Sequence, residues 1–239
     1  MVVRGHNEQF VDFMVEAGVL RFGAFETKSG RQTPYFLNTG AYTTAAHMRR
    51  VGSAYAGLIV ERFGANGFDV LFGPAYKGIP LVVAVALALL EEHGIDARFC
   101  FNRKEAKAHG EKGQLVGHTP RAGERVLIVE DVTTTGTSIR ETVPMLRQGG
   151  EILLAGLVVS VDRMERGSRE DRTALEELEI EFGMPTASIV DLDAILARLK
   201  PGGGAPHELT EAECAKVETY RSTYGVIRKG GPGTQSPTR

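Results

Sequence analysis

The chain has 239 residues, of which 42 % are hydrophobic and 24 % are charged, and its formal net charge is −2. These values are close to the average of globular proteins and argue against a chain that is disordered throughout. A charge balance this close to neutral also argues against a broad basic surface for nucleic acid or membrane, so we expect neither partner.

Two cysteines, Cys100 and Cys214, lie far apart and share no CxxC or Cys/His spacing. Their separation argues against a disulfide scaffold and a zinc site, and it indicates reduced thiols in a cytoplasmic protein. The longest apolar run, at residues 79–90, contains Pro80 and is too short to span a membrane. It therefore predicts a buried helix.

Helical periodicity occurs first at residues 7–17 and 44–63, on either side of a turn-rich stretch at 28–39. Short apolar runs then alternate with helical patterns, which predicts strands at 69–73, 97–101, 125–129 and 152–161 and helices at 79–93 and 137–148. The C-terminal part predicts one short strand and three helices, the strand near 186–190 and the helices near 170–182, 191–199 and 210–220. This alternation is typical of an α/β fold with a mainly parallel central sheet flanked by helices.

Residues 125–140, RVLIVEDVTTTGTSIR, join an apolar strand to a helix through an acidic pair and a hydroxyl-rich turn. A helix N-terminus presents unpaired N–H groups to a phosphate, and a glycine lets the backbone approach it closely. Glu130 and Asp131 can accept hydrogen bonds from ribose hydroxyls and contact a Mg²⁺ ion held there. The segment therefore predicts a ribose 5-phosphate site at the carboxyl end of a parallel strand.

A simpler interpretation of the same segment is an acidic strand end followed by a helix capped by Thr135 or Thr137. The strand, acidic pair, hydroxyl-rich turn, glycine and helix occur together, and this combination favours the phosphate site. Neither GxxxxGK[ST] nor GxGxxG is present, which argues against a P-loop and against a dinucleotide-binding loop.

The segment resembles the phosphoribosyl diphosphate (PRPP) motif of type I phosphoribosyltransferases. Three more segments resemble elements of orotate phosphoribosyltransferases, namely the orotate segment, the pyrophosphate loop and the mobile catalytic loop, at LRFGAFETKSGRQTPYF (20–36), LFGPAYKGIP (71–80) and FNRKEAKAHG (101–110). VDRMERG at 161–167 fits a fifth element. The resemblance covers about residues 10–227 and implies the type I phosphoribosyltransferase fold.

The resemblance implies transfer of a phosphoribosyl group from PRPP to orotate, with Mg²⁺ as cofactor, by a homodimer whose catalytic loop reaches the other subunit's site. The implied PRPP-binding residues are Tyr76, Lys77, Arg103, Lys104, Lys107, His109, Glu130, Asp131, Thr133, Thr134, Thr135, Gly136, Thr137 and Ser138. The implied orotate-binding residues are Lys28, Tyr35, Phe36, Thr134 and Arg163. Arg103, Lys107, His109 and Asp131 are the implied catalytic residues, and Mg²⁺ would be held mainly by substrate oxygens, with Glu130 and Asp131 contacting it through water.

The resemblance also implies one phosphoribosyltransferase domain over residues 1–228, with hood elements at about 1–40 and 185–228. Residues 229–239 are rich in Gly, Pro, Ser and Thr, which predicts a disordered tail. Leu37 stands where many relatives have a second phenylalanine, so a sandwich of the base between two aromatic rings is not expected.

The chemistry explains why cations are needed in the catalytic loop. Glycosyl transfer passes through an oxocarbenium-like transition state, and the departing pyrophosphate is easier to release when cations neutralise it. Residues 103–109 supply three fixed cations and one histidine, although a charge run of this kind is also typical of a solvated surface.

Other interpretations stay open at this stage. Tyr35 and Phe36 suit core packing, and Arg163 suits a surface ion pair with Asp162 or Glu165. A purine-type phosphoribosyltransferase would share the PRPP motif. A non-catalytic regulator of the same fold, for example an RNA-binding one, would need a basic surface, which the net charge does not favour.

Overall fold

The computed structural model describes residues 4–27, 30–104, 114–148 and 150–226. Its N-terminal part contains helix α1 (Arg4–Glu16), a hairpin of β1 (Leu20–Glu26) and β2 (Gln32–Leu37), and helix α2 (Ala45–Phe63). The central part contains β3 (Val70–Gly73), α3 (Gly78–His93), β4 (Arg98–Asn102), β5 (Leu115–Gly117), β6 (Arg125–Val129) and α4 (Thr137–Arg147). The C-terminal part contains β7 (Leu153–Asp162), α5 (Ala174–Phe182), β8 (Thr186–Asp191), α6 (Leu192–Leu199) and α7 (Glu211–Tyr224).

Six strands form the main sheet in the order β5-β4-β3-β6-β7-β8. The pairs from β4 to β8 are parallel, and only β5 runs antiparallel to its neighbour β4. The predicted α/β class with a mainly parallel central sheet is therefore confirmed. All four residues of β3 are buried, which explains why this strand is apolar throughout.

Alternate residues of the central strands pack against opposite layers of helices. Leu71 and Leu127 belong to a core shared with α1, α2, α3 and α6, whereas Phe72 and Ile128 belong to a core shared with α4 and α5. This division follows from strand geometry, because successive side chains point to opposite faces of a sheet. Burial on both faces thus explains the continuous apolar runs in the sequence.

The hairpin β1–β2 forms a separate two-stranded sheet. The sequence pattern predicted only a turn-rich stretch at 28–39 and missed both of its strands, as well as the short strand β5. The hairpin has an irregular register between Phe22 and Phe25, and β2 contains Pro34, which weakens the strand signal. Its pairing depends on tertiary contacts, in particular those between β2 and α7.

Part of the expected hood belongs to the main body of the fold. Strand β8 lies within the range 185–228, yet it pairs with β7 at the edge of the central sheet. The hairpin and α7 pack together, and Tyr35 of β2 meets Tyr220 of α7 edge to face at 5.8 Å between ring centroids. Residues 229–239 lie outside the described ranges. None of the helices in the described ranges is both long enough and apolar enough to cross a membrane.

Helices α2 and α3 approach closely at Gly52. A Cβ atom at this position would lie 2.5 Å from the backbone oxygen of Ala84 in α3. Backbone cannot rotate away as a flexible side chain can, so a side chain at residue 52 would force the two helices apart. This contact also supports the site, because α3 begins directly after the loop that follows β3.

We expect Gly52→Ala to lower the free energy of unfolding by about 1–3 kcal/mol, because overpacking outweighs the gain in helix propensity. Gly57→Ala in the same helix is the matched control, since a Cβ there meets nothing within 4 Å among the described residues. The control should gain about 0.5–1 kcal/mol from helix propensity. Denaturant titrations measure both values, and equal effects of the two substitutions would contradict the close-contact interpretation.

Candidate active site

Five of the sequence-predicted site residues lie at the carboxyl edge of the central sheet. Tyr76 and Lys77 follow β3, Glu130 and Asp131 follow β6, and Arg163 follows β7. Because these strands are parallel, their carboxyl ends meet at one edge, which is where open α/β sheets bind ligands. A cavity of about 230 Å³ opens there, lined on its polar side by Thr39, Lys77, Asp131 and Ser160.

Asp131 is the acceptor that joins two loops at this edge. Its Oδ2 atom accepts a hydrogen bond of 2.5 Å from the Thr39 hydroxyl and one of 3.0 Å from Lys77 Nζ. Burial by itself would raise the pKa of Asp131, but the Thr39 hydrogen bond and the Lys77 charge lower it below the usual value. Asp131 is therefore an ionised carboxylate at neutral pH.

Glu130 has a different environment from its neighbour. Its side chain is buried, its Oε1 accepts from the Asp131 amide at 3.0 Å, and its Oε2 accepts from the Ser138 hydroxyl at 2.9 Å. Burial and the adjacent Asp131 charge raise the pKa of Glu130 to about 7. The sequence predicts that both carboxylates face a ribose, whereas in the structure Glu130 points to the hydroxyl-rich turn and, of the two, only Asp131 lines the cavity.

The turn at residues 133–138 leads into α4 without a side-chain cap. Gly136 is the N-cap residue, with φ of 73°, and Thr135 Oγ1 and Thr137 Oγ1 lie 2.9 Å from each other. The alternative in which Thr135 or Thr137 caps the helix is therefore wrong. A Cβ at residue 136 would lie 2.9 Å from Leu178, so both the backbone angle and the available space favour glycine.

The loop after β3 carries one cation, Lys77, and the aromatic ring expected along a pyrophosphate. Tyr76 is 66 % exposed, and Lys104 Nζ lies 5.3 Å from its ring centroid. The Ala75 amide donates a 2.7 Å hydrogen bond to Asn102 Oδ1 at the end of β4, which joins this loop to the strand that precedes Arg103 and Lys104. Lys107 and His109, at the same predicted site, lie outside the described residues.

The residues expected at the orotate base divide into exposed and buried ones. Phe36 is 41 % exposed and stacks on Phe25 at 5.6 Å, whereas Tyr35 is only 2 % exposed. The core-packing interpretation thus fits Tyr35, and Phe36 presents an accessible ring. Lys28 lies outside the described residues.

Arg163 forms the ion pair with Glu165 that the sequence left open, although the pair is buried and does not lie on the surface. Its Nε and Nη2 atoms donate to Glu165 Oε1 at 2.9 and 2.5 Å, and 13 % of its side chain is exposed. Its guanidinium carbon also lies 5.2 Å from the centre of the Tyr35 ring.

Sequence reasoning missed three residues that shape the site. Thr39 contacts Asp131, Ser160 Oγ donates to the Asp131 carbonyl at 2.7 Å, and the Tyr55 hydroxyl donates to the Glu130 carbonyl at 2.8 Å. For Thr39 the available signal was proximity in sequence, since it ends the turn-rich stretch at 28–39 that overlaps the expected orotate segment.

The donor set fits a magnesium ion that is held mainly by substrate. The described residues contain no group of three or more His, Cys, Asp or Glu side chains that could hold a metal by themselves. Mg²⁺ keeps several waters and is commonly bound through one or two carboxylates together with phosphate oxygens. Asp131 offers one such carboxylate beside the cavity.

The raised pKa of Glu130 predicts a pH-dependent stability. Glu130 keeps its proton up to about pH 7 in the folded protein, whereas an unfolded glutamate loses it near its ordinary pKa of 4.5. The stabilisation of the folded state by protonated Glu130 is therefore complete below about pH 4.5, and it is lost as the pH rises to about 7. The unfolding free energy of the wild type should fall relative to that of Glu130→Gln by on the order of 2 kcal/mol over this range. A constant difference between the two proteins, measured by denaturation without ligands, would contradict the assignment.

Comparison with known proteins places the chain in a family. The model of the phosphoribosyl transferase domain matches residues 42–190. The chain is 47 % identical over 222 residues to the orotate phosphoribosyltransferase of Clostridium acetobutylicum, covering 92 % of this chain and 98 % of the relative. It is 46 % identical over 224 residues to that of Pseudomonas syringae, covering 94 % and 100 %.

Solved structures agree with these sequence relatives. The crystal structure of orotate phosphoribosyltransferase from Francisella tularensis superposes with a TM-score of 0.77 at 34 % identity and covers 91 % of this chain and 99 % of that one. The structure of Leishmania donovani UMP synthase gives a TM-score of 0.70 at 26 % identity and covers 92 % of this chain and 43 % of that one. On its motifs, its fold and these relatives, the chain belongs to the orotate phosphoribosyltransferase family.

Proposed function

We propose that this chain transfers the 5-phosphoribosyl group of PRPP to orotate, giving orotidine 5′-phosphate and pyrophosphate for pyrimidine nucleotide synthesis. One observation carries the proposal, namely the 3.0 Å contact between Lys77 Nζ and Asp131 Oδ2. In PRPP the pyrophosphate is attached to C1 of the ribose, next to the ring hydroxyls. A cation for pyrophosphate and a carboxylate for hydroxyls should therefore be neighbours, as Lys77 and Asp131 are.

The remaining PRPP contacts follow from this placement. The 5-phosphate binds at the N-terminus of α4, where the turn that contains Gly136 and Ser138 offers the hydroxyls of Thr133, Thr134, Thr135 and Thr137 and the backbone N–H groups at the start of the helix. The ribose hydroxyls donate to Asp131, whose negative charge also stabilises the positive charge that develops on the ribose ring. Glu130 does not contact the substrate in this proposal; it supports the phosphate-binding turn by accepting a hydrogen bond from the Ser138 hydroxyl.

Departure of the pyrophosphate needs positive charge around it. Tyr76, Lys77, Arg103 and Lys104 line its position, and we assign Lys107 and His109, outside the described residues, to the same task. Mg²⁺ bound to the substrate neutralises phosphate charge and stabilises the leaving group when present. The side chains themselves orient PRPP and exclude water, which would otherwise attack the activated ribose.

The base end of the site suits a carboxylated pyrimidine. Phe36 offers an accessible aromatic face for a flat ring, and Arg163 offers N–H groups that can bind a carboxylate through two hydrogen bonds. We also assign Thr134 and Lys28 to the orotate site. Tyr35 is buried and acts indirectly, because its ring packs against the guanidinium of Arg163.

Further properties belong to the same proposal. We expect a homodimer with a shared catalytic loop, and Leu87 and Leu90 on α3 support an apolar interface, since they are 54 % and 47 % exposed and lie one turn apart. We also expect one domain over residues 1–228. Cytoplasmic location is supported by Cys100 and Cys214, which are both free thiols.

A direct assay tests the proposed activity. Purified protein mixed with PRPP, Mg²⁺ and orotate should consume orotate, which is followed by the loss of its ultraviolet absorbance, and should not turn over hypoxanthine or adenine. Turnover of a purine but not of orotate would support the purine-type alternative. RNA binding without any turnover would support the regulator.

A mixing experiment tests the shared loop. Asp131→Asn and Lys107→Ala should each lower kcat by about a hundredfold or more, because each removes a charge that acts in the transition state. If the loop of one subunit completes the other's site, each mixed dimer has one intact site. Random exchange should then restore about a quarter of the wild-type activity. No recovery, when subunit exchange is demonstrated, would contradict a shared site.

A further inference from the structure

The carboxylate of Glu165 is the meeting point of four side chains from three parts of the chain. Its Oε1 atom accepts from the Tyr35 and Tyr220 hydroxyls, each at 3.0 Å, and from Nε and Nη2 of Arg163. Its Oε2 atom accepts from Arg31 Nη2 at 2.6 Å. Glu165 is only 8 % exposed, so these contacts replace water around the carboxylate.

The cluster of these five side chains carries an excess of one positive charge. The charges of Arg163 and Arg31 outweigh the effect of burial and lower the pKa of Glu165, so it is ionised. Burial raises the pKa of Tyr35 and of Tyr220, so both phenols are neutral at physiological pH. Two guanidinium groups therefore face one carboxylate, and the unbalanced charge favours a monoanionic ligand beside them.

The contact geometry determines which edge of Arg163 stays available. A guanidinium has five N–H groups in one plane. Glu165 occupies the edge formed by Nε and Nη2, so the edge that includes Nη1 can still donate to a substrate carboxylate. The Tyr35 ring packs at 5.2 Å from the guanidinium carbon and restricts the rotation of the group.

Helix α7 is attached to this cluster by both side chains and backbone. The Arg31 guanidinium carbon lies 5.4 Å from the Tyr220 ring centre and 4.7 Å from that of Tyr224. The Arg166 amide donates to the Tyr224 carbonyl at 2.9 Å, next to a β-bridge between Glu165 and Gly225. The C-terminal helix therefore supports the loop that carries Arg163.

We propose that Glu165, supported by Tyr220 of α7, is a positioning residue that orients Arg163 for the carboxylate of the substrate. This inference rests on the proposed function, because it takes Arg163 as the group that binds orotate. It makes α7 part of the base site even though its residues contact Glu165 and Arg31 instead of the cavity. A positioning role predicts an effect on the binding of the carboxylated substrate and not on PRPP.

Steady-state kinetics of Glu165→Gln test the proposal. The variant keeps the shape of the side chain and removes its charge, so Arg163 is no longer held in one orientation. We expect the KM for orotate to rise roughly tenfold, comparable to the loss of one hydrogen bond to a charged group. The KM for PRPP and kcat should stay within about twofold of the wild type, because the phosphate and ribose contacts are separate. In the reverse reaction the KM for orotidine 5′-phosphate, which keeps the carboxylate, should rise and that for pyrophosphate should not.

Asp12→Asn is the matched control for a general loss of stability. Asp12 also pairs with an arginine through two hydrogen bonds, at 3.0 and 2.6 Å to Arg198, but it joins α1 to α6 away from the cavity. The Asp12→Asn variant should have a lower free energy of unfolding, and its KM values for orotate and PRPP should equal those of the wild type. If Glu165→Gln fails to fold, Tyr220→Phe removes one hydrogen bond from the same carboxylate and should raise the KM for orotate about two- to threefold.

The outcomes separate this inference from the proposed function. Wild-type protein that does not turn over orotate would overturn the proposed function itself. Wild-type turnover together with an unchanged KM for orotate in Glu165→Gln and Tyr220→Phe would overturn only the positioning role. A fall in kcat with both KM values unchanged would show a merely structural role and would also overturn it.

Discussion

The ion pair between Lys77 and Asp131 joins the loop after β3 to the strand end of β6. The parallel sheet makes this contact possible, because β3 and β6 are neighbours and end at the same edge. Lys77 is 55 % exposed, so the pair adds little to stability, and exposed ion pairs of this kind commonly contribute less than about 1 kcal/mol. In the proposed function the pair matters because it places a cation for the pyrophosphate next to a carboxylate for the ribose hydroxyls.

Adjacent acidic residues can have different tasks when their surroundings differ. Asp131 faces the cavity and is kept ionised by Thr39 and Lys77. Glu130 is buried, holds Ser138, and has a raised pKa. The longer side chain of Glu130 reaches the start of α4. In the proposed function Asp131 therefore contacts the ligand, and Glu130 supports the turn that binds the phosphate. This division separates binding from support at two neighbouring positions.

At the base end of the site, a second pair of neighbouring residues divides binding and support in the same way, but there the residue proposed to contact the ligand is a cation. In the proposed function Arg163 contacts the ligand, and Glu165, which accepts hydrogen bonds from it, holds its orientation. The buried cluster also explains why the hairpin and α7 pack together, since Tyr35 and Tyr220 both donate to this carboxylate. Burying a charge is costly unless it is paired and hydrogen-bonded, and here every contact to Glu165 comes from a donor.

Local sequence patterns were sufficient to predict the α/β class, the central strands and the hydroxyl-rich turn after β6. These features can be predicted because the residues that form them are contiguous along the chain, as in the apolar run of β6 and the acidic and hydroxyl residues that follow it. The burial of Tyr35, the contact of Glu130 with Ser138 and the contact of α7 with Glu165 could not be predicted in this way, because they depend on how the segments pack against one another. Tyr35 and Glu165 are 130 residues apart, so the path of the chain, and no local pattern, brings them into contact.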